Sequence, residues 1–260
     1  MSGTVKCIIA GVILAIIGTA VLLTGFALND WRFPASQEVT IQTYYAQQDN
    51  NALAIQISSG TVKTEYYDGE KINIEFPSSK NYRTEITETN GTLHLSTEQR
   101  GFLWFGGFRI PPTVIKLPKS TQFEVNIEMS AGTINLGDGS YGRVALETDA
   151  GTINVGKIKC TELTLDIDAG TVNTDGADCG RLLIDMSAGT ANLDRVTCSY
   201  AKMKVSAGTV KVGFTGNREE YGIFKNISAG SCNVDSQSGT TDKVIDINIS
   251  AGTVKLHFCV

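Results

Sequence analysis

Gly132, Gly151, Gly170, Gly189 and Gly208 stand at a constant step of nineteen residues, and Gly230 and Gly252 follow at steps of twenty-two. Each sits in the phrase [Ser/Asp]-Ala-Gly-[Thr/Ser]. A fixed period near twenty, with apolar residues alternating around every copy, marks a stacked solenoid. No other feature restricts the fold as much.

One copy shows how the unit is built. Leu163, Leu165 and Ile167 alternate with Thr164, Asp166 and Asp168, the period-two pattern of a strand with one buried face. The same inward columns recur as Val125, Ile127 and Met129, as Val144, Leu146 and Thr148, and as Leu182, Ile184 and Met186. Ala-Gly then makes a corner, since glycine reaches backbone angles closed to other residues. Ser or Asp before it suits a side chain that closes the turn. Ile134 and Leu136, Ile153 and Val155, and Val172 and Thr174 point inward after the corner. A third short side carries Ile158-x-Cys160, Ala177-x-Cys179 and Val196-x-Cys198.

These columns predict an all-β chain, a parallel β-helix or solenoid of 19–22-residue coils with equivalent residues stacked ~4.8 Å apart. A hairpin sandwich would not repeat side-chain identity, whereas asparagine returns here at Asn135, Asn154, Asn173, Asn192 and Asn233. Residues 38–129 repeat less regularly. Ile55–Lys63 and Glu85–Leu95 each read as strand, Gly-Thr corner and second strand, forming irregular coils that cover the N-terminal end. Regular coils then occupy residues 130–260.

The N-terminus carries a different signal. Cys7–Leu28 is twenty-two residues without a charge, which as a helix at ~1.5 Å per residue reaches about 33 Å and crosses a ~30 Å hydrocarbon core. Signal-peptide apolar stretches are shorter, at ~7–15 residues. The segment therefore reads as an uncleaved transmembrane anchor, with Gly25-Phe26-Ala27 leaving cleavage as the alternative. Residues 1–6 would be the cytoplasmic N-terminus, residues 29–37 a linker with Trp31 at the interface, and the β domain extracytoplasmic. The expected localisation is the cell membrane, single-pass.

Charge and motifs narrow the function. A net charge of −5 and a pI near 5.1 argue against a nucleic-acid partner, which needs a basic footprint. The chain has no nucleophile elbow, metalloprotease helix, phosphate loop or dinucleotide fingerprint. No catalytic residue, cofactor or metal is expected.

The chain resembles the bacterial putative-adhesin family of β-strand-repeat proteins, a domain of unknown function. The resemblance rests on Ile57-Ser-Ser-Gly-Thr-Val62, on Val114-Ile-Lys-Leu-Pro118 leading into Phe123–Asn135, and on the later Ala-Gly-Thr copies. It covers about residues 38–258. It implies an extracytoplasmic β-solenoid of the cell envelope, with some members tied to envelope-stress systems, and it supplies no catalytic residues. The cysteine column departs from it.

Four constellations are candidates for function. Glu128, Glu147, Asp166 and Asp185 share one outward position in successive coils, with Asp149 and Asp168 two residues on. Such stacking repels, and a cation or basic partner would relieve it. Lys202 and Lys204 follow on that face and offer a plainer account, a solvated and partly self-neutralised surface. Cys160, Cys179 and Cys198 share an inward position. We read them as buried free thiols, with a 160–179 or 179–198 disulfide as the alternative. The Thr-x-Asn columns form a polar ladder, explained by bonding between coils or by ice or glycan binding. Phe102, Leu103, Trp104, Phe105 and Phe108 form an apolar stretch, either an exposed interaction loop or a plug for the N-terminal end. The C-terminal coil, where Val254, Leu256 and Phe258 run to the chain's end, reads as an uncapped edge open to self-association.

Two functional classes follow. One is a non-enzymatic, membrane-anchored envelope protein whose solenoid binds or scaffolds an unknown protein or envelope glycan. The other is a carbohydrate-binding or carbohydrate-active β-helix enzyme, which would need two carboxyl groups placed around a cleft.

Overall fold

Alternation of buried and exposed side chains is maintained through strand after strand in a computed structural model that describes residues 39–80, 82–99 and 110–259. Segments 7–28 and 102–108, and with them the anchor and the aromatic stretch, lie outside the described residues. Among the described residues no helix is long and apolar enough to cross a membrane.

The described chain is all-β apart from one 3-10 turn, Arg218–Glu220. Its strands are β1 Thr40–Tyr45, β2 Ala52–Tyr67, β3 Asn73–Ser78, β4 Tyr82–Thr89, β5 Thr92–Gln99 and β6 Thr113–Pro118. There follow β7 Phe123–Leu136, β8 Gly139–Thr197, β9 Tyr200–Val205, β10 Thr209–Thr215, β11 Tyr221–Cys232 and β12 Lys243–Cys259. The long run β8 passes through successive coils as one continuous strand, with Gly189 and Arg195 inside it at positive φ.

The stack is parallel from β2 to β11 and keeps like residues opposite one another. Ile127 lies beside Leu146, Ile134 beside Ile153, and Gly132 beside Gly151. Nineteen-residue spacing persists through side-chain bonds such as Asn173 to Asn154 at 3.1 Å. Ile153, Val172, Leu163, Leu165 and Ile167 are fully buried, so the predicted inward columns form the core. Cys160, Cys179 and Cys198 face it as well.

Steric exclusion explains the glycine column. A β-carbon on Gly132 would lie 1.9 Å from the Gly60 carbonyl oxygen, and one on Gly208 would lie 2.3 Å from that of Gly189. No backbone atom can yield that much, so a corner stacked this closely on the preceding one closes only with glycine.

Three expectations are corrected. First, the register extends further back than residue 130. β2 pairs with β7 in full register, Ile57 opposite Met129 and Gly60 opposite Gly132, so residues 52–67 form a regular coil. On the other side of β2 lie β5 and β6, parallel to its first and second halves respectively.

Second, Glu85–Leu95 is no coil corner. β4 and β5 form an antiparallel hairpin through Asn90-Gly91, both with positive φ (52° and 76°). Asn-Gly is the preferred pair for a two-residue hairpin turn because its twist matches that of the strands. Beside it, β3 pairs antiparallel with β6 and β1 with β3, so these are the outer strands at the N-terminal end.

Third, the C-terminal coil is interior. β12 lies between β9 and β10 on one side and β11 on the other, with Val254 beside both Val210 and Cys232. The edge of the stack is therefore β11. Its first half is covered by the chain's own return, where Ile223 and Gln237 exchange backbone hydrogen bonds of 2.9 and 3.0 Å. Phe214, Tyr221 and Phe258 pack together at this end with ring centroids 5.4–6.0 Å apart.

Candidate functional site: the carboxylate row

Stacking brings all four acidic residues of the predicted column into one straight row. Glu128 lies opposite Glu147, while at the far end Asp185 lies opposite Lys204. Two residues no spacing argument had singled out extend the row: Gln56 opposite Glu128 and Ser96 opposite Gln56. Beyond Lys204 come Asn248 and Asn226.

The two ends are satisfied and the middle is not. Gln56 Nε2 donates to Glu128 Oε2 at 2.8 Å, and Lys204 Nζ meets Asp185 Oδ2 at 2.7 Å. Lys204 is held protonated more firmly by that bond. Partial burial and then Asp166, Glu128, Asp149 and Asp168 push the Glu147 carboxyl above its ordinary range. Asp166 is raised by burial, Asp185 and Asp168, with Lys204 opposing. Asp149 and Asp168 flank the row, and Asp168 accepts a hydrogen bond from Ser187 Oγ at 3.2 Å.

An open groove of about 420 Å³ runs beside the row's N-terminal end, lined by Gln56, Ser96, Thr97, Glu128, Glu147 and Asp149. Among the described residues no three His, Cys, Asp or Glu side chains are grouped to hold a metal ion. A straight row on a flat sheet points its carboxylates the same way, whereas a cation needs ligands that converge. The row is a surface of charge.

The other columns are bonded internally. Asn154 donates to Asn135 at 2.8 Å, Asn173 to Asn154 at 3.1 Å and Asn192 to Asn173 at 3.3 Å, so the asparagines form a one-way ladder between coils. Cys160, Cys179 and Cys198 are free and buried, Cys232 is half-buried and Cys259 is exposed. The neighbouring Cys179 and burial push the Cys160 thiol far up. Its neighbours act on Cys179 in opposite senses, Cys160 down and Cys198 up, and burial helps bring it to about 12.

Sequence reading missed one polar cluster altogether. Glu88 on β4 accepts from the Tyr44 hydroxyl at 2.5 Å, the Gln47 and Gln48 N–H groups at 2.7 and 2.8 Å, and the Asn50 amide at 2.6 Å. The Asn90-Gly91 turn was the available signal, because it sets β4 against β5, the strand pair that carries Glu88. Gln56 was legible too, as its phrase Ile55-Gln-Ile matches Ile127-Glu-Met.

Comparison with known proteins agrees with this architecture. The pattern that defines the Toastrack DUF4097 family matches residues 50–258. No curated protein matches the chain. A solved structure of a putative adhesin from Bacteroides fragilis is 12% identical and aligns with TM-score 0.50 over 87% of this chain and 100% of its own. A putative adhesin from Parabacteroides distasonis is 12% identical, with TM-score 0.44 over 85% of this chain and 98% of its own. A putative lipid binding protein from the same organism is also 12% identical, with TM-score 0.36 over 84% and 97%.

Proposed function

We propose that this chain, which belongs to the Toastrack DUF4097 family, is a non-enzymatic, membrane-anchored protein of the cell envelope whose solenoid faces bind or scaffold other envelope components. The observation that carries the reading is the carboxylate row. Glu147 and Asp166 stand unpaired, and the coils from Glu128 to Asp185, at a constant nineteen-residue step, carry no insertion from which the second wall of a cleft could rise. Acid–base hydrolysis of a glycan needs two carboxyl groups held across such a cleft. A flat face of repeated charge instead suits recognition of an extended, repetitive or basic partner.

The uncharged run Cys7–Leu28 supports the anchor. The family resemblance supports an extracytoplasmic β domain and a place in envelope-stress systems. The adhesin description given to the Bacteroides fragilis protein agrees with a role in surface contact.

Fractionation of cells that express the tagged full-length chain tests the reading. The protein is expected in the membrane pellet, with residues 39–259 cut by protease added outside. Recovery in the soluble fraction, or protection of the β domain from that protease, overturns it. Incubation of the same preparation with envelope glycans separates the classes, since turnover would make the chain an enzyme.

A further inference from the structure

The open half of β11 is self-complementary. Residues Ile227 to Cys232 have β12 on one side, and among the described residues no strand on the other. Two core columns end on this strand: Ile249 is covered by Ile227, and Val254 by Cys232, and both covering residues are only half-buried. The sequence between them, Ser228-Ala229-Gly230-Ser231, carries no charge. Exposed sheet edges are ordinarily blocked by charge, proline or a covering segment. β11 uses such devices only in its first half, where the 233–242 return covers it and Lys225 is held by Asp235 at 3.0 Å.

We propose that two copies of this chain pair through the 227–232 segments of β11, antiparallel about a two-fold axis between Ala229 and Gly230. That axis sets Ile227 of one copy opposite Cys232 of its partner, Ser228 opposite Ser231, and Ala229 opposite Gly230. Apolar thus meets apolar, hydroxyl meets hydroxyl, and small meets small. Both half-open core columns continue into the other copy, because residues 227 and 232 face inward in each. A head-to-tail contact lacks this fit, since the outer strands at the N-terminal end, β1, β3 and β4, are antiparallel additions without the corner phrase. An isologous contact closes at two copies. The inference concerns assembly and holds whatever the solenoid face binds.

Cross-linking of the full-length protein tests it. Ile227→Cys places a thiol opposite the native Cys232 of the other copy, and opposed residues in an antiparallel pair are ~4.5–5.5 Å apart at Cα, within disulfide reach. Mild oxidation with oxidised glutathione is expected to convert most I227C protein to a covalent dimer. Cys232→Ser in the same background, or Ser231→Lys, should reduce that dimer at least tenfold. The double variant Ser228→Cys/Ser231→Cys, which spares the apolar column, should cross-link equally if I227C folds poorly. A dimer that persists in the C232S background places the contact elsewhere and overturns the proposal. Absence of cross-linking in both cysteine variants overturns it as well.

Discussion

Gly189 lies so close over Gly170 in the neighbouring coil that a β-carbon on it would stand 2.0 Å from the Gly170 carbonyl oxygen. Its φ of +129° disfavours any side chain independently. Gly60 separates the two effects. It has φ +121° but ends the column, and a β-carbon there would meet nothing closer than the Tyr82 hydroxyl at 3.9 Å. Gly60→Ala should therefore cost only the backbone term, about 1–2 kcal/mol. Gly189→Ala adds a backbone clash and should cost upwards of about 3 kcal/mol. Urea titration of both variants measures the difference, and equal losses would show that the corner glycines serve backbone angle alone.

The asparagine ladder has a direction, each amide donating to the coil before it. Asn173→Asp keeps the shape but removes the donor, turning a hydrogen bond to Asn154 Oδ1 into a contact between two acceptors. A loss of about 1–3 kcal/mol is expected, from an unmade bond and an unmatched acceptor. Asn173→Ala removes the conflict with the bond and should lose less. Thermal unfolding of the two variants decides the order.

How much of this was legible divides along a physical line. Period and alternation fix which positions face inward and which stack, so the core columns, the cysteine column and the carboxylate row could all be read from spacing. Period does not fix which coil neighbours which. Lys-Asn-Ile-Ser-Ala-Gly at 225–230 and Ile-Asn-Ile-Ser-Ala-Gly at 247–252 bury the same columns in either order. The discriminating residue is Lys225. It occupies the inward position opposite Ile247, and an ammonium survives there only at an edge, where it reaches the Val234 carbonyl and Asp235. The hairpin at Asn90-Gly91 was hidden differently: Gly-Thr follows both it and the true corners, and the asparagine before the glycine was the only local distinction.

Thr148 looks like an error of polarity in the core. Thr148 replaces the Met129 and Ile167 of its column and is 2% exposed, with no partner for its hydroxyl. Thr148→Val keeps the volume and removes a buried, unbonded oxygen. Stabilisation of about 1 kcal/mol is expected, the size of the desolvation penalty relieved. An unchanged or lower melting temperature would mean the hydroxyl is satisfied in solution.

Acid should act on the fold in two opposite steps. Glu147 and Asp166 have folded-state pKa values above their unfolded ones, so their ionisation opposes folding. That penalty is complete at neutral pH, shrinks as pH falls through their raised values, and is gone below the ordinary carboxylate range. Glu88 runs the other way: burial works to raise it, but its hydrogen bonds, the Tyr44 hydroxyl foremost, hold it at about 2. Its contribution is full above 4.5 and is lost as pH falls from there towards 2. Melting temperature should thus rise on mild acidification and fall below pH ~4. Glu147→Gln should stabilise at pH 7 by less than about 1 kcal/mol, given how exposed the row is, and flatten the upper limb, whereas Glu88→Gln should flatten only the lower limb. A profile that falls monotonically from pH 7 would contradict the repulsion within the row.

Thiol reactivity follows the same burial gradient. A thiol reacts as its thiolate, and the adjoining Cys179 sulfur together with burial keeps Cys160 protonated well beyond neutral pH. Native alkylation should modify the exposed Cys259 first and the half-buried Cys232 more slowly, unless β11 is paired with another copy. Cys160, Cys179 and Cys198 should remain unmodified until the protein is denatured, then react together, because the coils that cover them unfold as neighbours. Peptide mass mapping after a timed pulse of iodoacetamide measures the order. Early labelling of Cys179, which has a thiol-bearing coil on either side, would mean that the middle of the stack opens locally and that the core columns are less continuous than their burial implies.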